Sequence, residues 1–212
     1  MWVDAIMVAL ILTNLALLGT STLASCIRIL TIQGVALGLL PLAAGEPLLS
    51  WRVLFLTPAA IGLKGVVFPS LLMRALRQAD VRREVEPFVG YIGSVLAGLV
   101  ALAVSVWFGS RLPAPDAGVS RLVAPVAMFM ILVGLFLIIS RRKALTQVLG
   151  FVVLENGMYA FGVVMLREIP MIVEMGILLD AFVAVFVMGI AIYHISREFD
   201  HTDVDRLDSL KG

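Results

Sequence analysis

The sequence predicts an all-α, polytopic membrane protein of about seven transmembrane helices, and three observations predict it. Of its 212 residues 61% are apolar and 15% charged, with a mean hydropathy of +1.05, far from the roughly 45–50% apolar and 25% charged of soluble domains. Breaking the chain at its charges, prolines and glycines leaves runs of about 20 apolar residues, the length that crosses a hydrocarbon core. The basic residues then fall unevenly on the two sides of the membrane that those runs define.

The runs lie at 3–20, 25–44, 52–75, 88–109, 121–140, 145–166 and 172–195, leaving a polar, acidic tail at 198–212 with Asp200, Asp203, Asp205 and Asp208. Asp4 stands where a signal peptide would carry positive charge, so residues 3–20 are read as a retained helix. With seven spans, one side collects Arg28, Arg74, Arg77, Arg82, Arg83, Arg141, Arg142, Lys143, Arg197, Arg206 and Lys211, against Arg52, Arg111, Arg121 and Arg167 on the other. Because Lys and Arg stay on the cytoplasmic side, the N-terminus is expected outside and the C-terminus in the cytoplasm. The loops are short, so residues 1–197 read as one transmembrane domain. A net charge of +1 offers no field for nucleic acid. The single cysteine, Cys26, permits no internal disulfide and cannot alone hold an iron–sulfur cluster or a structural zinc.

An internal repeat is expected as well. A shift of about 115 residues, of the kind transporters carry as weak symmetry, aligns Gly19 with Gly134, Ser25 with Ser140, Arg28 with Lys143, Leu30 with Leu145 and Thr31 with Thr146. It brings Lys64 within one residue of Asp180. Helices 1–3 would recur as helices 5–7 in the same direction, joined by helix 4.

Three ionisable residues stand deep inside apolar runs: Lys64 in Ile61-Gly62-Leu63-Lys64-Gly65-Val66, Glu155 in Val152-Val153-Leu154-Glu155-Asn156, and Asp180 in Ile177-Leu178-Leu179-Asp180-Ala181. At 1.5 Å per residue each lies roughly 12–17 Å from the nearer helix end, close to mid-membrane. Each costs about 2.5–3.5 kcal/mol at the bilayer centre, so each must face another, water or a partner. Apolar burial favours the neutral form of such groups and mutual proximity the charged form, so small rearrangements switch their protonation. That makes Lys64, Glu155 and Asp180 candidate proton-relay residues; the bland alternative is a buried pair that only fixes helix packing. Tyr159, one turn after Glu155, is placed to support it, whereas Asn156 lies about 100° round the helix. Glu174 and His194 could line the same helix as Asp180. Pro58 and Pro69 bracket Lys64, and Gly62 and Gly65 flank it, so a kink or broken turn is expected there. Gly34 and Gly38 form a GxxxG, which speaks of close helix packing. No P-loop, HExxH, CxxC, nucleophile elbow or dinucleotide fingerprint occurs, so no catalytic site, bound cofactor or metal of its own is expected.

The stretch Ser140-Arg141-Arg142-Lys143-Ala144-Leu145-Thr146-Gln147-Val148-Leu149-Gly150, leading into Leu154-Glu155-Asn156-Gly157, resembles the hydrogenase-4 component E family, the membrane subunit of formate hydrogenlyase-like and other group 4 hydrogenase complexes. From about residue 121 to 197 the chain is similar to the K-type small subunit of respiratory complex I and the C-type subunit of multisubunit cation/proton antiporters. Those subunits carry two intramembrane glutamates on successive helices, and Glu155 and Asp180 occupy the corresponding places. Glu155 falls about one turn later than in that pattern, and the second acid is Asp rather than Glu. The resemblance implies a location in a prokaryotic cytoplasmic (inner) membrane and partners among antiporter-like membrane subunits and a peripheral hydrogenase arm. Nickel–iron and iron–sulfur centres would belong to those partners. A stand-alone secondary transporter and a purely structural membrane subunit are the competing readings. A seven-helix retinal receptor would want its lysine on helix 7, whereas that helix carries Asp180.

Overall fold

The computed structural model describes residues 2–43, 51–78, 89–112, 120–141 and 144–165, and every regular element among them is helical. In order these are α1 (Trp2–Gly19), α2 (Leu23–Gly38), α3 (Leu40–Ala43), α4 (Trp51–Ala60), a π-helical segment (Ile61–Val67), α5 (Phe68–Gln78), α6 (Tyr91–Gly109), α7 (Val123–Ser140) and α8 (Ala144–Met165). The expected helix at 172–195 and the tail at 198–212 lie outside the described residues. Among those described, α1, α6 and α7 are each long and apolar enough to cross a membrane, and α2 is apolar but shorter.

Two local departures from straight helices have covalent causes. The second apolar run does not continue to residue 44 as one helix: α2 ends at Gly38 and a separate turn begins at Leu40. Pro41 has no N–H to donate back to Leu37, so the ladder breaks there. In the third run the kink expected beside Lys64 takes the form of a seven-residue π-helix running directly between α4 and α5. It closes with the N–H of Phe68 donating to the carbonyl of Leu63, five residues back. Pro69 follows at once and cannot restore the ordinary α-helical bond.

α7 and α8 form the most extensive helix pair, with α1 and α2 packed on them and α6 outside, against α1 and α7. Close approach depends on glycine. A Cβ at Gly134 would stand 2.5 Å from the Leu154 nitrogen and 2.6 Å from the Gly150 carbonyl oxygen of α8. On α2, a Cβ at Gly34 would fall on the backbone carbonyl of Lys64, so the GxxxG helix seats the π-helical segment. The buried apolar residues form two clusters. One holds Met7, Leu10, Leu37, Ala60, Met130 and Ala160; the other holds Leu17, Leu30, Leu72, Phe129, Leu149 and Val153.

α6 has the polarity expected of a helix bathed in lipid. Ser94, Gly98 and Ser105 face inward, while Ile92, Leu96, Val100 and Trp107 are exposed. The buried hydroxyls donate within reach of their own helix, Ser105 to the carbonyl of Ala101 at 2.8 Å and Ser94 to that of Val89 at 3.2 Å. Small residues inside and large apolar ones outside are the pattern of helices packed in a bilayer.

Gly134→Val is expected to destabilise the bundle by about 1–3 kcal/mol, since the α7 and α8 backbones must move apart. Gly62→Ala, whose new methyl meets nothing within 4 Å, is expected to be steric-neutral. Detergent-solubilised unfolding followed by circular dichroism compares the two, and equal midpoints would contradict the packing argument.

Candidate functional site

The π-helical segment carries Lys64 inward, and its side chain is only 4% exposed. A π turn widens the helix by one residue, re-aiming the side chains within it; such turns recur at functional sites. Opposite, α8 presents Glu155, Asn156 and Tyr159, all buried. Lys64 Nζ forms an ion pair with Glu155 Oε1. The same ammonium donates to Asn156 Oδ1 at 3.3 Å and lies 4.8 Å from the centroid of the Tyr159 ring. A carboxylate and an amide carbonyl thus accept from one ammonium, and an aromatic face adds attraction from the ring.

The structure therefore brings together Lys64, Glu155 and Tyr159 from among the residues singled out in the sequence. Tyr159 meets the site through its ring beneath the ammonium. Asn156, expected to point away from the Glu155 face, takes part directly, because the lysine reaches both residues across the helix surface. Asp180, Glu174 and His194 lie outside the described residues.

A charge at this depth is tolerated because it is compensated locally. Moving a lone ammonium or carboxylate from water into a low-dielectric interior costs several kcal/mol, about as much as mutual attraction and hydrogen bonds return to a well-made pair. The pair is thus nearly neutral in net stability while either member alone is a liability. Among the described residues no group of three or more His, Cys, Asp or Glu side chains is arranged to hold a metal.

Sequence reasoning missed three buried polar residues. Asn14 and Gln33 are fully enclosed. Asn14 Nδ2 donates to the Leu10 carbonyl at 2.7 Å, and Gln33 Nε2 donates to Thr13 Oγ1 at 3.2 Å. A single amide is diluted by the apolar residues around it, and α1 keeps a mean hydropathy of 1.9 with Asn14 inside it, so the signal was one polar letter within each apolar run. An amide oxygen left without a partner in such a place costs about 1–3 kcal/mol. Arg141, counted in the sequence among the basic residues of the cytoplasmic side, is 1% exposed at the end of α7, its guanidinium 6.0 Å from the Tyr91 ring. Burial pulls its pKa below the ordinary guanidinium value.

Comparisons with known proteins place the chain among membrane-complex subunits by name. The family model described as NADH-ubiquinone/plastoquinone oxidoreductase chain 4L matches residues 122–212, a stretch that includes Glu155. An uncharacterized protein of Mycobacterium tuberculosis is 31% identical over 205 residues, 95% of this chain and 92% of that protein. Hydrogenase-4 component E of Escherichia coli K12 is 28% identical over 171 residues, 81% of this chain and 77% of that protein, and the Shigella flexneri protein of the same name matches equally. No solved structure matches the chain.

Removing one member of the ion pair is expected to be worse than removing both. Lys64→Met or Glu155→Leu alone should lower stability by about 3–5 kcal/mol, because the remaining charge is stranded, whereas the double substitution should recover most of that loss. A double-mutant cycle on unfolding free energies measures the coupling, and additive losses would show that the two side chains do not depend on each other.

Proposed function

Because the chain belongs to the hydrogenase-4 component E family, we propose that it is a membrane-arm subunit of a complex-I-like hydrogenase of the formate hydrogenlyase type. In this reading Lys64, Glu155 and Asp180 pass protons within the membrane while partner subunits perform the redox chemistry. The observation that carries the proposal is the enclosed Lys64–Glu155 pair, a lysine on a π-helical segment held by a carboxylate, an amide and an aromatic ring.

The pair can handle one excess proton at a time. A proton arriving at the Glu155 carboxylate neutralises it and weakens its hold on the ammonium. The ammonium then gives up a proton to the next acceptor, and transfer from the glutamic acid to the amine restores the starting ion pair. Glu155 and Lys64 act as general acid and base across one hydrogen bond, and Asn156 and the Tyr159 ring hold the ammonium in place during the exchange. The π-helical segment aims Lys64 at α8 between α4 and α5, and such turns recur at functional sites.

The reading includes a transmembrane domain of seven spans over residues 1–197 in a prokaryotic cytoplasmic membrane, with the N-terminus outside and the tail at 198–212 in the cytoplasm. It also includes a tandem arrangement in which helices 1–3 recur as 5–7. The partners are antiporter-like membrane subunits and a peripheral hydrogenase arm that holds the nickel–iron and iron–sulfur centres. A structural role is the second reading, and the enclosed contacts of Lys64 with Glu155 and Asn156 favour it, since a static pin would look the same.

Translocation by the assembled complex separates the two. Glu155→Gln and Asp180→Asn are each expected to lower the protons moved per electron severalfold in inverted membrane vesicles, with redox activity toward an artificial acceptor retained. The purified chain alone, in liposomes, is expected to transport little. Normal translocation by the double variant at normal assembly would sink the relay, and loss of assembly with unchanged coupling in the residual complex would favour the pin.

A further inference from the structure

Asn14 Oδ1 and Gln33 Oε1 accept no hydrogen bond among the described residues, although both side chains are 0% exposed. Buried polar oxygens almost always have a partner, protein or water. Their position is as telling as their burial. On α1, Asn14 falls between Leu10 of one apolar cluster and Leu17 of the other; on α2, Gln33 falls between Leu37 and Leu30 in the same way. The i, i+3/i+4, i+7 spacing puts each amide on the same face as those leucines. Lys64 sits between Ala60 and Leu72, and Glu155 and Asn156 between Val153 and Ala160, likewise on the divide between the two clusters.

The polar residues thus form one level of the bundle rather than scattered exceptions. Two contacts tie the level together: Gln33 Nε2 reaches Thr13 Oγ1 on α1, and the backbone beside Gln33, at Gly34, packs against the Lys64 carbonyl. We propose that Asn14 and Gln33 hold internal water through these amide oxygens and extend the Lys64–Glu155 pair into a hydrated polar layer reaching α1.

Water suits the site better than a cation. The amides are neutral, so they supply oxygens without the negative charge a desolvated sodium ion needs, and the Lys64 ammonium lies on the same level. Water can donate to both oxygens while accepting from a neighbour, as internal waters typically do. Asn14 and Gln33 are positioning residues here: they orient water and do not themselves exchange the transported proton. The inference rests on the relay reading for its consequence, but not for the occupant.

Two measurements on the native complex test it. A cryo-electron microscopy map that resolves ordered water should show density within about 3 Å of Asn14 Oδ1 and of Gln33 Oε1; dry apolar packing against both oxygens overturns the proposal, and so does a peak that appears only with sodium. In inverted vesicles, Gln33→Met and Asn14→Leu are expected to lower protons moved per electron severalfold, with redox activity retained, while Gln33→Asn, which keeps a neutral amide oxygen, retains more of the coupling than Gln33→Met. Glu155→Gln measured in parallel separates the outcomes. If it blocks translocation and the amide variants do not, the hydrated layer is wrong and the relay stands. If it changes nothing, the relay is wrong, and the map alone decides whether the amides hold water. Should the amide variants fail to assemble, the wild-type map again decides.

Discussion

The ion pair between Lys64 and Glu155 is the constraint around which the described helices are arranged. Charges of either sign are expensive in hydrocarbon, and the expense falls only when they meet with their remaining hydrogen-bonding capacity satisfied. That meeting requires two backbones to come close. Gly34 lets α2 lie against the π-helical segment, and Gly134 with Gly150 lets α7 close on α8, which presents Glu155 and Asn156. A bulkier residue at those glycines would act on the pair through the distance between helices rather than through any contact with it.

The pair also joins a part of the chain that the chain 4L family model matches to a part that it does not. Glu155 lies within residues 122–212, the part that matches the chain 4L family model, whereas Lys64 lies outside it. The N-terminal part therefore does more than surround the chain 4L-like part: it contributes the cation that compensates that part's buried acid. That cation is carried on the π-helical segment, an irregularity of the kind that recurs at functional sites.

Polarity elsewhere follows the same solvent logic. α6 turns serines and a glycine inward and its large apolar side chains outward, the reverse of a soluble helix, because lipid solvates hydrocarbon and the interior must absorb the polar groups. Arg141 shows what positive-inside reasoning leaves out. It stands at the end of α7 where a basic residue is expected, yet it is enclosed by the protein. A rule that counts charges by side of the membrane says nothing about which of them the fold covers.

By itself the sequence determined the class of solvent, the helical character, the family and two of the buried charges, Lys64 and Glu155. Hydropathy sums along the chain, and a lysine or glutamate amid twenty apolar residues stands out at any register. The prolines and glycines around Lys64 announced a disturbed helix, though not that it would be a π-helix. Only the tertiary structure decided that Lys64 pairs with Glu155 across 91 residues of sequence, that Asn156 joins them, that Arg141 is buried, and that Asn14 and Gln33 lie on the same level as the pair. Each of those depends on how one helix is rotated and how far it is slid against its neighbours, and the relative placement of distant segments leaves no periodic trace in a single chain of letters.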